Sequence, residues 1–440
     1  MPKNIHRKLV LGQILNPLQD EKCAFHMNGA LVLVKKGGGW VVDYVGDASN
    51  APLKLDMTPS ELENVEILDF KRQIIMPSFF DIHFHWVQDD VRTMPKASLL
   101  EWLEKHTFPA ERKFEKKNYS KRKAKEFFKR LVQTGTLGGA IYSSIHEHAL
   151  EHAQEQVVGH FAIGNVQMTM NSPDFLTQTK EEAIDLSVRM AKKYKDNYAL
   201  TPRFAIATDP ETMRQTAIAA KENGSFIQTH LSENKGEIEF VMQIYKNMPE
   251  FKNVKNYTDI YDKVGLLGPK TIMGHGIHLS DEEMKKIAKT KTVIAHCPTS
   301  NAPIRQKGLG SGLFDFKKAQ KRDIRWALAS DIGGGPVLSM FDVMRSFVDQ
   351  NAEAGIKVSY AQALYRSTVA GAEAMGVEKI AGNFTKGKEA NFLVLAPVKG
   401  EVDTAEEVLE RIVSRGRRNR SAYDDLPRKV FFKGEALYER

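Results

Sequence analysis

Residues 74–85, IIMPSFFDIHFH, decide how this 440-residue chain folds. An apolar run that ends abruptly in Asp81, His83 and His85 reads as a β-strand whose C-terminal tip carries ionisable groups. Alternate side chains of a strand share a face, so His83 and His85 point the same way, and two imidazoles on one side make half a metal site. Alone, such a pair in a chain of 13 histidines is more often incidental. The same pattern, however, repeats downstream.

Seven more short apolar runs follow: Gly138–Ser143, Phe161–Met168, Ala199–Phe204, Ser225–Thr229, Thr271–Gly274, Thr292–Ala295 and Ile324–Ala329. With Ile74–Ile82 they make eight strands. Between them lie amphipathic stretches such as Glu181–Lys193, Asp209–Asn223, Glu237–Lys246 and Asp281–Thr290, the last with Ser280 as N-cap and Glu283 at the capping-box position. This α/β rhythm predicts a (β/α)8 TIM-like barrel, with an open doubly wound sheet as the alternative that periodicity leaves open. From Ile5 to Ile75 short apolar alternations are broken by turn residues, as in ALVLVKKGGGWVVDYVGD, and NFLVLAP and RKVFFKGEALYE share that texture near the other end. The expected organisation is a barrel over 76–380 beside a small β-sandwich built from both chain ends, 1–75 and 381–440.

Hydrophobic residues make up 42% of the chain and charged residues 27%, the balance of a soluble globular protein. No run of about eighteen apolar residues is present to span a bilayer, and the first twenty residues lack the apolar core of a secretory signal, so a cytoplasmic protein without a membrane partner is expected. Cys23 and Cys297 form no CxxC pair and cannot build a disulfide framework. The net charge of +8 gathers at Arg112–Arg130 and Arg411–Arg420. Phe114, Phe127, Phe128 and Leu131 interleave with the first of these, so it reads as a solvated helix with one buried face, and no nucleic-acid partner is expected.

The later strands also end in lone ionisable residues: His230 closes SFIQT, His275 closes TIMG and Asp331 closes IRWALAS. Each alone is ordinarily a capping or hydrogen-bonded core residue, but barrel enzymes collect their chemistry at this rim. His83, His85, His230 and Asp331 would supply three imidazoles and a carboxylate with one position open for water. Glu233, three residues past His230 in THLSEN, can carry a proton there, although a Glu at a helix N-terminus has a simpler explanation in the helix dipole.

The strings DIHFHWVQ, LLEWLEKHTFPAE, TPRF, QTHLSEN, GHGIHLS, AHCPTSN, GSGLF and SDIGGGPVLSM run in order from about Pro77 to Val348, with a weaker echo in GNFTKGKEANFLVL. In order and spelling they resemble the motifs of guanine deaminases within the amidohydrolase superfamily. The resemblance implies one Zn2+ per subunit on His83, His85, His230 and Asp331, a ligand set that also accepts Fe2+, with His275 beside the attacking water. It implies Glu233 as proton shuttle, Asp331 as assisting base, and Gln88, Arg203 and Phe204 as the residues that hold a purine base. The implied reaction is hydrolytic deamination of guanine to xanthine and ammonia, in a homodimer.

The alternatives are a deaminase or chlorohydrolase of the same superfamily acting on 8-oxoguanine, another purine, a pyrimidine or a triazine, or a non-catalytic barrel scaffold. A cytidine-deaminase type of site is set aside, because His296-Cys297-Pro298 has neither the order nor the second cysteine. Three departures from the family pattern stand out. GNVQMTM carries Asn165 and Thr169 and no lysine that could become a carbamylated bridge, which favours one metal over two; Trp86 is bulky; and APIRQKG after Asn301 looks like an insertion.

Overall fold

The computed structural model describes residues 6–51 and 65–440. Within the hairpin region Ile5–Ile75, Ile5 and residues 52–64 lie outside the described residues, as do 1–4 of the expected N-terminal unit. Three antiparallel strands, β1 (Arg7–Gln19), β2 (Lys22–Lys36) and β3 (Gly39–Asp47), open the chain, and β4 (Val65–Pro77) lies parallel to β1. Eight parallel strands follow: β5 (Phe79–His85), β6 (Thr136–Ser143), β7 (His160–Gln167), β8 (Ala199–Pro202), β9 (Phe226–Leu231), β10 (Thr271–His275), β11 (Val293–His296) and β12 (Arg325–Leu328). They neighbour one another in sequence order, as a TIM-like barrel requires. The chain then returns as β13 (Phe392–Leu395), β14 (Pro427–Phe432) and β15 (Glu435–Glu439), and β13 pairs antiparallel with β4.

The terminal strands form one continuous mixed sheet, in the order β15-β14-β13-β4-β1-β2-β3, which curls until its two ends meet. Trp40 N donates to Lys433 O (3.0 Å), Ala390 N donates to Trp40 O (2.9 Å), and the Trp40 indole N–H reaches Glu435 Oε1 (2.7 Å). Val10, Ile14, Leu33, Phe392 and Phe431 fill the space enclosed.

The apolar run Ile74–Ile82, read as one strand, is shared between both sheets. Residues up to Pro77 pair with β13, whereas from Phe79 onward the chain pairs with β6. The switch falls at Ser78, whose N–H donates to Asn391 O (3.1 Å), while that of Phe79 donates to Gly135 O (2.9 Å). Hydrophobic periodicity is blind to this break because both halves are buried. The helix Asp281–Thr290 begins with the Ser280/Glu283 capping box read from the sequence. No described helix is long and apolar enough to cross a membrane.

Both basic runs are absorbed into the fold. The helix Lys117–Gln133 buries Ala124, Phe127, Phe128 and Leu131. In the second run Arg417 pairs with Asp349 (2.9 Å), Arg420 grips Asp342 (Nε–Oδ1 3.0 Å), and Arg415 donates to the carbonyls of Ala396 (3.1 Å) and Pro397 (2.7 Å).

The barrel closes where β5 meets the chain leaving β12. Asp331 N donates to His83 O (2.9 Å) and His85 N to Ile332 O. Asp81, fully buried, accepts from Ser330 N (3.0 Å), from the Ser330 hydroxyl and from His83 N (3.4 Å); burial pushes its carboxyl up to about 7. Across the barrel the His83 ring lies on β10 at Gly274, where a Cβ would sit 2.5 Å from its Cε1. A Gly274→Ala variant should therefore overpack, costing about 1–3 kcal/mol, and displace the imidazole. The expected outcome is a lower thermal midpoint, read by calorimetry; if it is unchanged, the packing described for His83 is wrong.

Candidate active site

Five ionisable side chains reach the C-terminal rim from four different strands. His83 and His85 come from β5, His230 from β9, His275 from the end of β10, and Asp331 stands three residues after β12. The ligand nitrogens of His83, His85 and His230 all lie within 4.8 Å of one another. His85 Nε2 and His230 Nε2 are 3.1 Å apart, and Asp331 Oδ1 stands 3.5 Å from His83 Nε2 and 3.6 Å from His85 Nε2. The backbone turns sharply here: Ser232 (φ 50°), His275 (φ 74°) and Asp331 (φ 49°) occupy left-handed conformations that cost a non-glycine residue about 1–2 kcal/mol each.

Burial pushes the imidazoles of His83 and His230 down to about 3 and that of His85 well below its ordinary value, so all three stay neutral and keep a free lone pair. His230 donates from Nδ1 to Arg203 O (2.7 Å), which fixes the ring and aims the lone pair of Nε2 inward. Both nitrogens of His83 and Nδ1 of His85 are buried without a hydrogen-bond partner among the described residues. Neutral imidazoles, inward lone pairs that repel at this spacing, and an adjacent carboxylate form a donor set that fits one divalent ion.

His275 is wired differently. With the Asn301 amide donating to its Nδ1 (3.1 Å), its proton sits on Nε2, which faces Glu233 Oε2 at 3.5 Å and Asp331 Oδ2 at 4.0 Å. It thus offers a hydrogen-bond donor. Glu233 precedes the helix Lys235–Lys246, whose N-cap is Asn234; the capping work belongs to Glu237, which accepts from Glu233 N (2.7 Å) and Asn234 N (3.3 Å). The helix-terminus explanation for Glu233 is thereby displaced. Glu233 is 2% exposed, and burial, then the charges of Asp331 and Glu237, push its carboxyl well above the usual range; Ser311 Oγ donates to its Oε1 (3.2 Å).

Beside this cluster opens a slot lined by His85, Gln88, Arg203, Phe204 and Glu233, walled by Leu99, Trp102, Leu103 and Leu309. The cavity volume is only about 30 Å³, so the walls stand close together. Glu111 ties the polar end together, its carboxylate accepting from Gln88 Nε2 (2.8 Å), Arg203 Nη1 (2.7 Å) and Arg203 Nη2 (3.0 Å).

Glu111, Asn301, Ser311 and Trp102 were not singled out from the sequence, although they lie within the strings LLEWLEKHTFPAE, AHCPTSN and GSGLF. Their signal was a polar or aromatic residue inside a distinctive motif, with nothing in the spacing to tell which partner it meets. Trp86 turns away from the slot: its indole donates to Ser143 Oγ (3.1 Å) and its ring packs on Phe114 (centroids 4.9 Å apart). Asn165 donates to the carbonyls of Ser144 (2.9 Å) and His146 (3.2 Å), bracing the exit of β6. The APIRQKG segment forms a loop fastened by Lys96, whose Nζ donates to Lys307 O (2.9 Å).

Residues 74–436 match the amidohydrolase family model. Among curated proteins the chain is 32% identical over 390 residues to a guanine deaminase of Escherichia coli, covering 87% of this chain and 84% of that one. It is 33% identical over 351 residues to a guanine deaminase of Dictyostelium discoideum, covering 76% of each. Among solved structures, the guanine deaminase of C. acetobutylicum with guanine bound in its active site superposes with a TM-score of 0.85 at 28% identity, over 98% of this chain and 100% of that one. The chain belongs to the amidohydrolase family, in its guanine deaminase branch, and is an enzyme of the class that hydrolyses C–N bonds.

Proposed function

We propose that the protein deaminates guanine hydrolytically, giving xanthine and ammonia. The observation that carries this reading is the meeting, at one rim, of three neutral inward-facing imidazoles, the Asp331 carboxylate and a buried Glu233 whose carboxyl is pushed well above the usual range. His83, His85, His230 and Asp331 would hold one zinc ion, or Fe2+ in the same set; bound there, a divalent ion lowers the pKa of water toward about 7 and makes a nucleophile available at neutral pH. The relatives' activity points to guanine, and the narrow slot suits a planar base.

The chain's own groups account for the proton traffic. Arg203 and Gln88 orient the purine ring at the polar end of the slot, and Phe204 packs beside it, so that the amino-bearing carbon C2 faces the cluster. Asp331 accepts a proton from the attacking water. His275 Nε2–H donates toward the oxygen being added, held in that tautomer by Asn301. Glu233 gives its proton to the neighbouring ring nitrogen as water adds, takes up the proton of the newly formed C2 hydroxyl and passes it to the amino group, so that the C2–N bond breaks and ammonia leaves while C2 becomes a carbonyl; the proton held by Asp331 then restores the Glu233 acid. Ser311 keeps the Glu233 carboxyl turned into the slot.

Purified protein with zinc should release ammonia from guanine in step with the loss of guanine absorbance. Glu233→Gln should lower kcat by about 10²–10⁴ with the fold intact, and an undiminished rate would remove Glu233 from this role. Stripping metal with a chelator should abolish turnover and lower the thermal midpoint, and added Zn2+ should restore both. Full activity in the stripped protein would contradict the assignment of the histidine cluster.

A further inference from the structure

The polar end of the slot is organised by a residue that does not line it. Glu111 is 1% exposed, on the short helix Phe108–Arg112, behind Gln88 and Arg203, which do line the slot. Its Oε2 accepts from Arg203 Nη1 (2.7 Å), and its Oε1 from both Arg203 Nη2 (3.0 Å) and Gln88 Nε2 (2.8 Å). Arg203 is itself 2% exposed and its guanidinium lies over the Phe108 ring (5.2 Å), so this ion pair is shielded from solvent.

An ion-paired carboxylate accepts hydrogen bonds and donates none. Gln88 can therefore turn only its NH2 toward Glu111, and its carbonyl Oε1, which takes no protein donor among the described residues, is left for the slot. Arg203 spends one N–H of each terminal nitrogen on Glu111 and the second of Nη1 on Met168 Sδ (3.6 Å), and keeps Nε–H and one N–H of Nη2. The slot thus presents a fixed acceptor beside fixed donors. A 6-oxopurine carries the matching edge, N1–H as donor next to C6=O as acceptor. A 6-aminopurine carries the inverse, N1 as acceptor next to an amino donor. Buried polar groups left facing their own kind are what reject a wrong ligand most strongly.

We propose that Glu111 sets substrate specificity without touching the substrate: it locks the orientation of the Gln88 amide and so selects purines with a lactam edge over 6-aminopurines. The inference rests on the guanine reading above and deepens it. Glu111→Gln, of the same shape, can donate from its own amide to Gln88 Oε1 and frees Gln88 to turn over, which erases the preference.

The test compares guanine with 2,6-diaminopurine, which keeps the amino group at C2 and replaces only the C6 oxygen. Full-length enzyme should favour guanine in kcat/KM by about 10² or more. Glu111→Gln should shrink that ratio at least tenfold, chiefly through a higher KM for guanine, and Glu111→Asp should recover part of it. Gln88→Met, which leaves Glu111 and Arg203 paired, should lose the same discrimination, and the double variant Glu111→Gln/Gln88→Met should lose no more than either alone. Equilibrium binding gives a readout apart from turnover: hypoxanthine, with the lactam edge and no amino group to lose, should bind Glu111→Gln about tenfold more weakly, with adenine binding not weakened. A guanine to diaminopurine ratio unchanged in Glu111→Gln and Gln88→Met overturns the proposal and leaves the deaminase reading standing. Glu111-dependent preference for hypoxanthine in a protein that does not turn over guanine supports the proposal and overturns that reading instead.

Discussion

Closure of the barrel between its first and last strands is the constraint on which the site depends. His83 and His85 leave β5, Asp331 follows β12, and these residues are neighbours only because the seam is bonded shut: Asp331 N to His83 O, His85 N to Ile332 O, and the Asp81 carboxylate across to Ser330. Burying a carboxylate is costly unless donors meet it, and Asp81 meets three. The cost is confined to a spot where it fixes at once the two strands that bring His83, His85 and Asp331 to the rim. A strand carrying two histidines would have little chemistry of its own without that lock.

The rim shows the same logic in its electrostatics. Three imidazoles crowded in a buried cleft are each driven to the neutral form, which is the form that binds a cation. Glu233, in the same low-dielectric surroundings and near Asp331, is driven toward its acid form, which is the form that can give a proton. Burial therefore prepares opposite groups for opposite tasks. The surrounding shell sets direction: Arg203 O aims His230, Asn301 aims His275, Ser311 aims Glu233, and Glu111 aims Gln88 and Arg203.

Most of the barrel was legible because its strands are short apolar runs ending in ionisable residues, and each of the eight runs contains or overlaps a barrel strand. The rim residues were legible for the same reason: His230, His275 and Asp331 interrupt apolar runs where a barrel strand must end. Two kinds of feature were not. The passage of Ile74–Ile82 from one sheet to the other at Ser78 leaves the hydrophobic pattern unbroken, since both partners bury it. The curl of the terminal sheet, closed by Trp40 and Lys433, depends on pairing across nearly 400 residues, which no local pattern encodes. Glu111 was invisible as a functional residue for a related reason: it reads as one more charge before a basic helix, and only the fold sets it behind Gln88 and Arg203.

The central claim is that the histidine cluster and Asp331 hold a single ion. Zinc- and iron-edge X-ray absorption on the purified protein, with metal content measured on the same sample, tests this most directly. The expected result is one equivalent of metal per chain in a shell of nitrogen and oxygen ligands, with the outer-shell scattering of about three imidazoles and no metal–metal distance. A two-metal signature, a sulfur ligand, or a histidine-free oxygen shell would contradict it.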